Sequence, residues 1–276
     1  MSDILKRRQF LKASIGATLI GVSPFTAFSV HAAALGMETK VDLKKTRLFN
    51  KHFDDDIFVI DSNQAVLSSV FKRFRRLIDV VGYTKFALID FDEALKIAHN
   101  YPQVGDFPKE EIAFLEFIFY FDAKIYGFWG DKLLTEINVD LPRKAVKKIS
   151  GTAQYLFRGD AENIYGQIHK VMGDRVILTS GVRGVVKQLY LFLKKVQHSK
   201  GNLSMASRSV APPGHSFHGV GDFDVGKAGF GYRNFTSAFA DTDEYKRLTE
   251  LGYLKIRYPK DNPFGVRFEP WHVKVV

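Results

Sequence analysis

Residue types that bind divalent metal ions occur together in the C-terminal third of the sequence. His218 and Asp224 are six residues apart in the segment APPGHSFHGVGDFDVG, and His272 lies 54 positions after His218 in FEPWHVKVV. Two ligands close in sequence and one distant ligand, with a position left for water, are typical of catalytic zinc sites. The spacing therefore predicts a metal site, although such pairs also arise by chance and a single His in an apolar strand is often a packed core residue.

A carboxylate stands next to the third of these residues. Glu269 precedes His272 by three positions, so a turn or a twisted strand would bring it beside the metal without making it a ligand. A carboxylate in that place can take a proton from water that the metal has activated. We therefore predict that Glu269 is a general base.

The segments that contain these residues resemble one protein family. PPGHSFHGVGDFDVG and FEPWH are similar to the PPGxSxHxxGxAxD and EPWH blocks of VanY-type D-alanyl-D-alanine carboxypeptidases, and SGVRGVVKQ is similar to that family's SGYRSxxxQ block. Arg183 and Gln188 are in register with the latter block, and the RYP at 257–259 also fits. The resemblance covers residues 150–276, and three blocks in the same order are more specific than any one of them.

The resemblance implies a function and a set of roles. The chain would be a zinc-dependent carboxypeptidase that removes the C-terminal D-alanine of peptidoglycan stem peptides by means of a metal-activated water. Zn²⁺ would be held by the two histidines and Asp224, and Glu269 would be the catalytic base. Arg183 would lie near the substrate carboxylate or the developing oxyanion. The residues that would engage the substrate are Arg183, Gln188 and Ser216.

The sequence departs from the family pattern between the first His and the Asp. The family has seven steps between them, whereas the seventh position after His218 is Val225, so a one-residue deletion has to fall between Gly221 and Asp224. Phe223 also stands where the family has a small residue. We expect this ring to narrow or reshape the site beside the metal.

A different register is open. With His215 as the ligand, Asp222 would stand at the family spacing, but Ser216 would move out of register. We therefore keep His218 and Asp224 as ligands and treat Asp222 as a reserve metal ligand.

The N-terminus has the features of an export signal. It contains a twin-arginine pair, a weakly apolar stretch at 13–30, and small residues suited to cleavage near Ala32 or Ala34. RRQFLK resembles the motif of twin-arginine (Tat) substrates. We predict a cleaved signal at 1–34, a periplasmic or otherwise exported protein, and no stable membrane span after cleavage. The alternative is an N-terminal anchor helix or a basic amphipathic segment.

Composition limits the remaining possibilities. The chain has 276 residues, 46% of them hydrophobic, which is enough for a substantial core, and it lacks cysteine. Disulfides and thiolate zinc ligands are thereby excluded. The net charge of +10 favours anionic partners but does not choose among nucleic acid, acidic lipid and wall polymer.

Hydrophobic periodicity predicts the elements that position the site. An amphipathic helix is expected at 65–81 with one solvated basic face, and a second helix, rich in Phe and Tyr, from Pro108 to Phe128. A strand is expected at 175–179, with helices at 161–172, 185–197 and 243–251 and short strands toward 276. This is an α+β fold: a helical N-terminal region at 35–150, and a peptidase domain at 151–276 with a small antiparallel sheet and flanking helices.

Three alternatives stay open at this point. The first is a non-catalytic peptidoglycan-binding module of the same fold, and the second is a peptidoglycan endopeptidase. The third, a basic nucleic-acid-binding protein, is disfavoured by the export signal and by the absence of a nucleic-acid-binding motif. The sequence does not decide between D,D and L,D specificity, and it leaves the oligomeric state open.

Overall fold

The computed structural model describes residues 30–31 and 41–276. Its strands form three small antiparallel sheets. Strand β1 (Val30–His31) pairs with β2 (Phe58–Val59), and β3 (Val146–Lys148) pairs with β4 (Tyr155–Phe157). The third sheet has the order β5–β6–β7 and consists of Val176–Ser180, Phe223–Lys227 and His272–Val273.

Helices make up most of the remaining regular structure. Before β3 they are α1 (Leu43–Arg47), α2 (Gln64–Val81), α3 (Tyr83–Phe86), α4 (Phe91–Asn100) and α5 (Lys109–Tyr120). After β4 they are α6 (Asp160–Met172), α7 (Val185–His198), α8 (Leu203–Ser207) and α9 (Asp243–Glu250). The mixed helix and antiparallel sheet architecture, with a helical N-terminal region, confirms the predicted fold class.

Helix α2 forms where the periodicity predicts it, but its basic face is only partly solvated. Lys72 and Arg75 are exposed, whereas Arg73 is buried and its Nε donates to Glu111 Oε2 at 2.5 Å. The pair ties α2 to α5. Gly82, with φ +80°, ends the helix in a conformation that side chains disfavour.

Helix α5 is shorter than predicted. It ends at Tyr120, Phe121 adopts an extended conformation, and a separate 3₁₀ turn follows at Ala123–Tyr126. Asp122 caps this turn by accepting from the Lys124 backbone N–H at 3.0 Å. The run of aromatic residues reflects burial on both sides of the break rather than one continuous helix.

The buried hydrophobic residues described form two large cores and one small cluster of four residues. The larger core packs α2, α4 and α5 against α7, and Tyr190 of α7 contacts the rings of Phe71, Phe74 and Phe86. The smaller core lies between the β5–β6–β7 sheet and α6 and α9. The larger core thus contains residues from both sides of position 150, and the domain boundary placed there stays a prediction.

Two predictions concern the chain's relation to membranes. The predicted signal at 1–34 lies outside the described residues except for Val30 and His31, which form β1. Within the described part of the chain, no helix combines the length and apolarity that spanning a bilayer requires.

Candidate metal centre and active site

The β5–β6–β7 sheet brings two of the predicted ligands together. Asp224 of β6 is directly opposite His272 of β7 in the antiparallel register. Paired residues in an antiparallel sheet project their side chains from the same face. Phe223 and Val225, which flank Asp224, alternate to the other face and are fully buried in the smaller core.

The third predicted ligand comes from a short turn. His218 lies in the 3₁₀ helix Phe217–Gly219, and its Nδ1 is 2.8 Å from the carbonyl oxygen of Gly181, just after β5. Only glycine fits at 181, since a Cβ there would lie 1.9 Å from the carbonyl oxygen of Tyr155. The glycine of the SGVR segment therefore helps to orient the His218 ring.

The three side chains form a group with the composition of a metal site. One ligand atom from each of His218, Asp224 and His272 lies within 4.8 Å of the others, and all three residues are buried. His218 Nε2 and Asp224 Oδ1 are 3.2 Å apart but lack hydrogen-bond geometry, and both are buried without a hydrogen-bond partner. Buried polar atoms rarely stay unsatisfied. A cation between them would use both, so these residues fit a zinc ion.

The other ring nitrogen of each histidine is already engaged. His272 Nε2 lies 3.0 Å from Asp222 Oδ2, so its Nδ1 faces Asp224. Asp222 also accepts from Arg257 Nε at 2.8 Å and from the Val275 backbone N–H at 2.8 Å. Outer-shell carboxylates of this kind fix the orientation of metal-binding histidines. Asp222 thus supports a ligand, and the geometry does not favour it as the reserve ligand.

Protonation in this region suits cation binding. Burial, followed by the nearby charge of Arg183, lowers the pKa of His218 to about 4, so its ring is neutral at pH 7. For Asp224 burial acts to raise the pKa, but His218 and Arg183 outweigh it and the pKa falls to about 2. A neutral imidazole and an ionised carboxylate are the forms that bind metals.

Glu269 lies beside this group without belonging to it. Its Oε2 is 3.7 Å from His272 Nδ1, and its Oε1 is 3.7 Å from Arg267 Nε. Burial raises the pKa of Glu269, partly opposed by Arg267 and His272. A carboxylate with a raised pKa at the edge of a metal site has the properties of a proton acceptor and donor.

Arg183 makes contacts that the sequence did not predict. Its Nη2 donates to Asp224 Oδ2 at 2.6 Å, and its Nε donates to Ser180 Oγ at 3.0 Å. The guanidinium therefore holds a candidate metal ligand in place. The resemblance implied a place near the substrate carboxylate or the developing oxyanion, and the structure puts Arg183 beside the candidate metal ligands with two of its donors in use.

A cavity of about 300 Å³ opens over the group. Arg183, Ser216 and Glu269 line it together with the three candidate ligands. Gln188 does not line it: its Nε2 donates to the Ala211 carbonyl at 2.5 Å, and Ala211 forms part of the wall. Of the three predicted substrate-binding residues, the structure thus brings two to the cavity, and Gln188 supports the wall from behind.

Two residues that the sequence analysis considered for the site do not line the cavity. The His215 ring packs against Phe128, and its Nδ1 lies 3.0 Å from the Gly130 carbonyl oxygen, outside the ligand group. Phe223 does not narrow the site, because its ring faces Tyr165 in the smaller core.

Sequence reasoning missed some residues of the site. Tyr258 and Trp271 line the cavity, the Tyr258 ring lies 4.9 Å from the His272 ring, and Arg267 forms another part of the wall. The RYP segment was the one signal for Tyr258, since it matched the family without a role attached. Nothing in the sequence pointed to Arg267.

Comparison with known proteins agrees with the geometry. Residues 164–276 match the family model described as VanY, D-alanyl-D-alanine carboxypeptidase. The comparison with curated proteins found no match. This match over residues 164–276 confirms the resemblance to VanY-type carboxypeptidases seen in the sequence.

Solved structures that are similar to this chain include the following three. A variant of the vancomycin resistance D,D-pentapeptidase VanY in complex with Zn(II) is 26% identical, with 48% of this chain and 78% of that chain covered and a TM-score of 0.39. VanYB in complex with D-alanine-D-alanine is 26% identical, with 47% and 77% covered and a TM-score of 0.38. The LD-carboxypeptidase LdcB is 25% identical, with 47% and 62% covered and a TM-score of 0.38. This chain thus spans under two thirds of the LdcB chain.

Proposed function

We propose that the protein is a zinc-dependent carboxypeptidase that hydrolyses the C-terminal D-alanine peptide bond of peptidoglycan stem peptides. The observation that carries this proposal is the group of His218, Asp224 and His272, with two buried unsatisfied ligand atoms, next to a separate carboxylate in a cavity. The VanY family match and the relatives solved with Zn(II) or with D-alanine-D-alanine support it.

Each residue of the site has a separate role in the proposed reaction. His218, Asp224 and His272 would hold the zinc, which supplies Lewis acidity for polarising a carbonyl oxygen and acidifying water. Glu269 takes the proton of the attacking water and later gives it to the amine of the departing D-alanine. Arg183, fixed against Asp224, places a positive charge near the negative charge that develops on the carbonyl oxygen.

The position of the second carboxylate distinguishes its role from that of a ligand. Asp224 is bonded to Arg183 and has a lowered pKa, so it stays ionised. Burial raises the pKa of Glu269, and the charges of Arg267 and His272, each 3.7 Å away, oppose this only in part. Two nearby carboxylates with opposite pKa shifts are suited to different tasks.

Incubation with defined muropeptides tests the proposal. Zinc-loaded protein should release D-alanine, a chelator should stop the release, and added zinc should restore it. Glu269→Ala should release none above background, while Glu250→Ala, a change at an exposed helix end, should match the native protein. Equal release by the native protein and Glu269→Ala would refute the proposed base.

The same assay separates the alternatives. Release of longer fragments instead of D-alanine would identify an endopeptidase, an alternative that the engagement of Arg183 by Asp224 keeps open. Retention on peptidoglycan without any product would identify a binding module.

We also propose export through the twin-arginine route, which a reporter fused to residues 1–34 and its Arg7→Lys, Arg8→Lys variant would test.

A further inference from the structure

A second arginine lines the cavity beside the candidate metal centre. Arg267 precedes Glu269 by two residues, and its side chain is 18% exposed. Its Nε is buried and has no hydrogen-bond partner, and its contact with Glu269 is long at 3.7 Å. Leaving a buried N–H donor such as this Nε unused is costly.

Aromatic rings from both parts of the chain hold this arginine. The guanidinium carbon lies 4.7 Å from the ring centre of Phe49, which follows α1, and 4.8 Å from that of Trp271. Its backbone N–H donates to the Arg208 carbonyl at 2.9 Å. A guanidinium restricted in this way loses little conformational freedom when it binds a ligand.

The wall around Arg267 carries further positive charge. Lys194 and Lys195 of α7 line the same cavity. Burial lowers the pKa of Lys195, and the nearby positive charges of Arg267 and Arg208 lower it further. The acidic residues that line the cavity, Asp224 and Glu269, belong to the metal group and the proposed base. An anion entering this part of the cavity would relieve the repulsion.

We propose that Arg267, positioned by Phe49, binds a carboxylate of the substrate peptide and so determines specificity; this rests on the proposed function. The guanidinium fork matches a carboxylate with two parallel hydrogen bonds. Arg183 is less suited to the task, because its Nη2 is taken by Asp224 at 2.6 Å. The carboxylate belongs either to the C-terminus of the peptide or to an acidic side chain within it.

Three synthetic stem-type peptides ending in D-alanyl-D-alanine test this inference. One has both carboxylates free, one has an amidated C-terminus, and one has an amidated acidic side chain. Arg267→Gln should raise KM for the first peptide about 10- to 100-fold with a smaller change in kcat, as expected for lost hydrogen bonds to a charged group. The effect should vanish for the peptide that lacks the carboxylate in question, which identifies its source. An equal loss with all three peptides would overturn the inference.

Matched variants separate positioning from folding. Phe49→Leu should raise KM with the same dependence on peptide charge, whereas Phe53→Leu, which removes a ring lying over Arg208, should not. Arg233→Gln removes an arginine stacked on Phe230 at an exposed place outside the cavity and should leave KM unchanged. A rise in KM with the same dependence on peptide charge in Phe53→Leu or Arg233→Gln, equal to that in Phe49→Leu, would count against the assignment.

Binding measurements separate this inference from the proposed function. Calorimetry with zinc-loaded Glu269→Gln and the same three peptides reports affinity without turnover. If the native protein cleaves none of the peptides but binding still depends on Arg267 and on one carboxylate, the inference holds and the proposed activity fails. If binding to Glu269→Gln and to the Glu269→Gln, Arg267→Gln double variant is equal, the inference fails whatever the activity.

Discussion

Two buried charged clusters in this molecule differ in one respect. In the first, which we call the closed cluster, Asp56 pairs with Arg208 and also accepts from Asn202 Nδ2 at 2.7 Å and the Phe53 backbone N–H at 3.1 Å. In the second, which we call the open cluster, Asp224 pairs with Arg183 and lies against two histidines, with Glu269 beside them. Both carboxylates are almost fully buried, and each is bonded to an arginine.

The two clusters differ in whether their other polar atoms have hydrogen-bond partners. Arg208 in the first cluster also donates from Nε to the Ser204 carbonyl at 3.0 Å and from Nη1 to the Lys51 carbonyl at 3.3 Å. The second cluster leaves His218 Nε2 and Asp224 Oδ1 without hydrogen bonds and borders a cavity. Burial and charge alone thus do not identify a functional site, whereas unsatisfied ligand atoms beside a cavity do.

The largest expected effect concerns activity at the open cluster. Glu269→Gln keeps the shape of the side chain but removes the proton acceptor, so kcat for D-alanine release should fall about 10²- to 10⁴-fold. Thermal unfolding should show that the variant is folded. Glu250→Gln is the control and should retain full kcat. A Glu269→Gln variant with unchanged kcat would mean that Glu269 is not the proton acceptor.

The largest expected effect on stability concerns the closed cluster. Asp56→Ala leaves Arg208 buried without its carboxylate, which should lower the free energy of unfolding by about 3–5 kcal/mol. Urea denaturation measures this, with Asp106→Ala at an exposed position as the control. Zinc affinity measured on the folded variant should be unchanged, and a large loss of zinc affinity would mean that the two clusters are coupled.

Metal binding should stabilise the protein through the open cluster alone. Free zinc at 100 times its Kd should raise the free energy of unfolding by about 2.7 kcal/mol, because zinc binds the folded form. The gain should disappear with a chelator and in Asp224→Asn. If Asp224→Asn is stabilised by zinc as much as the native protein is, the ion binds elsewhere.

The smallest effect expected is that of the supporting carboxylate. Asp222→Asn removes the charge that orients His272 and should weaken zinc binding about 10- to 100-fold without abolishing it. Competition with a chromophoric chelator gives the affinities, and Asp224→Asn should lose more. If Asp222→Asn loses more than Asp224→Asn, Asp222 is the ligand and the register has to be reversed.

The sequence predicts the local elements better than their contacts. Helix α2 and the strand β5 lie within a residue of their predicted ends, because each has a clear hydrophobic period. The end of α5 was wrong, because a run of aromatic residues has no period that marks the break. The three candidate ligands were identified from short motifs, and the pairing of β6 with β7 brings two of them together.

Contacts between distant segments account for what the sequence did not predict. Asp222 was expected as a reserve ligand, and its role depends on Arg257, 35 positions later, which no local pattern connects to it. Arg267 meets Phe49 across more than two hundred positions of the sequence. The contact of Arg183 with Asp224 was not predicted for the same reason, since the two residues are 41 positions apart.

Helix α7 has a consequence for attempts to dissect this molecule. One of its faces packs into the helices that precede β3, while Lys194 and Lys195 reach the cavity from another. A fragment starting at 151 would present Phe192, Leu193 and their neighbours to water and would tend to aggregate. Recombinant work on the C-terminal half is therefore best done with both halves on one polypeptide, or with those leucine and phenylalanine positions redesigned.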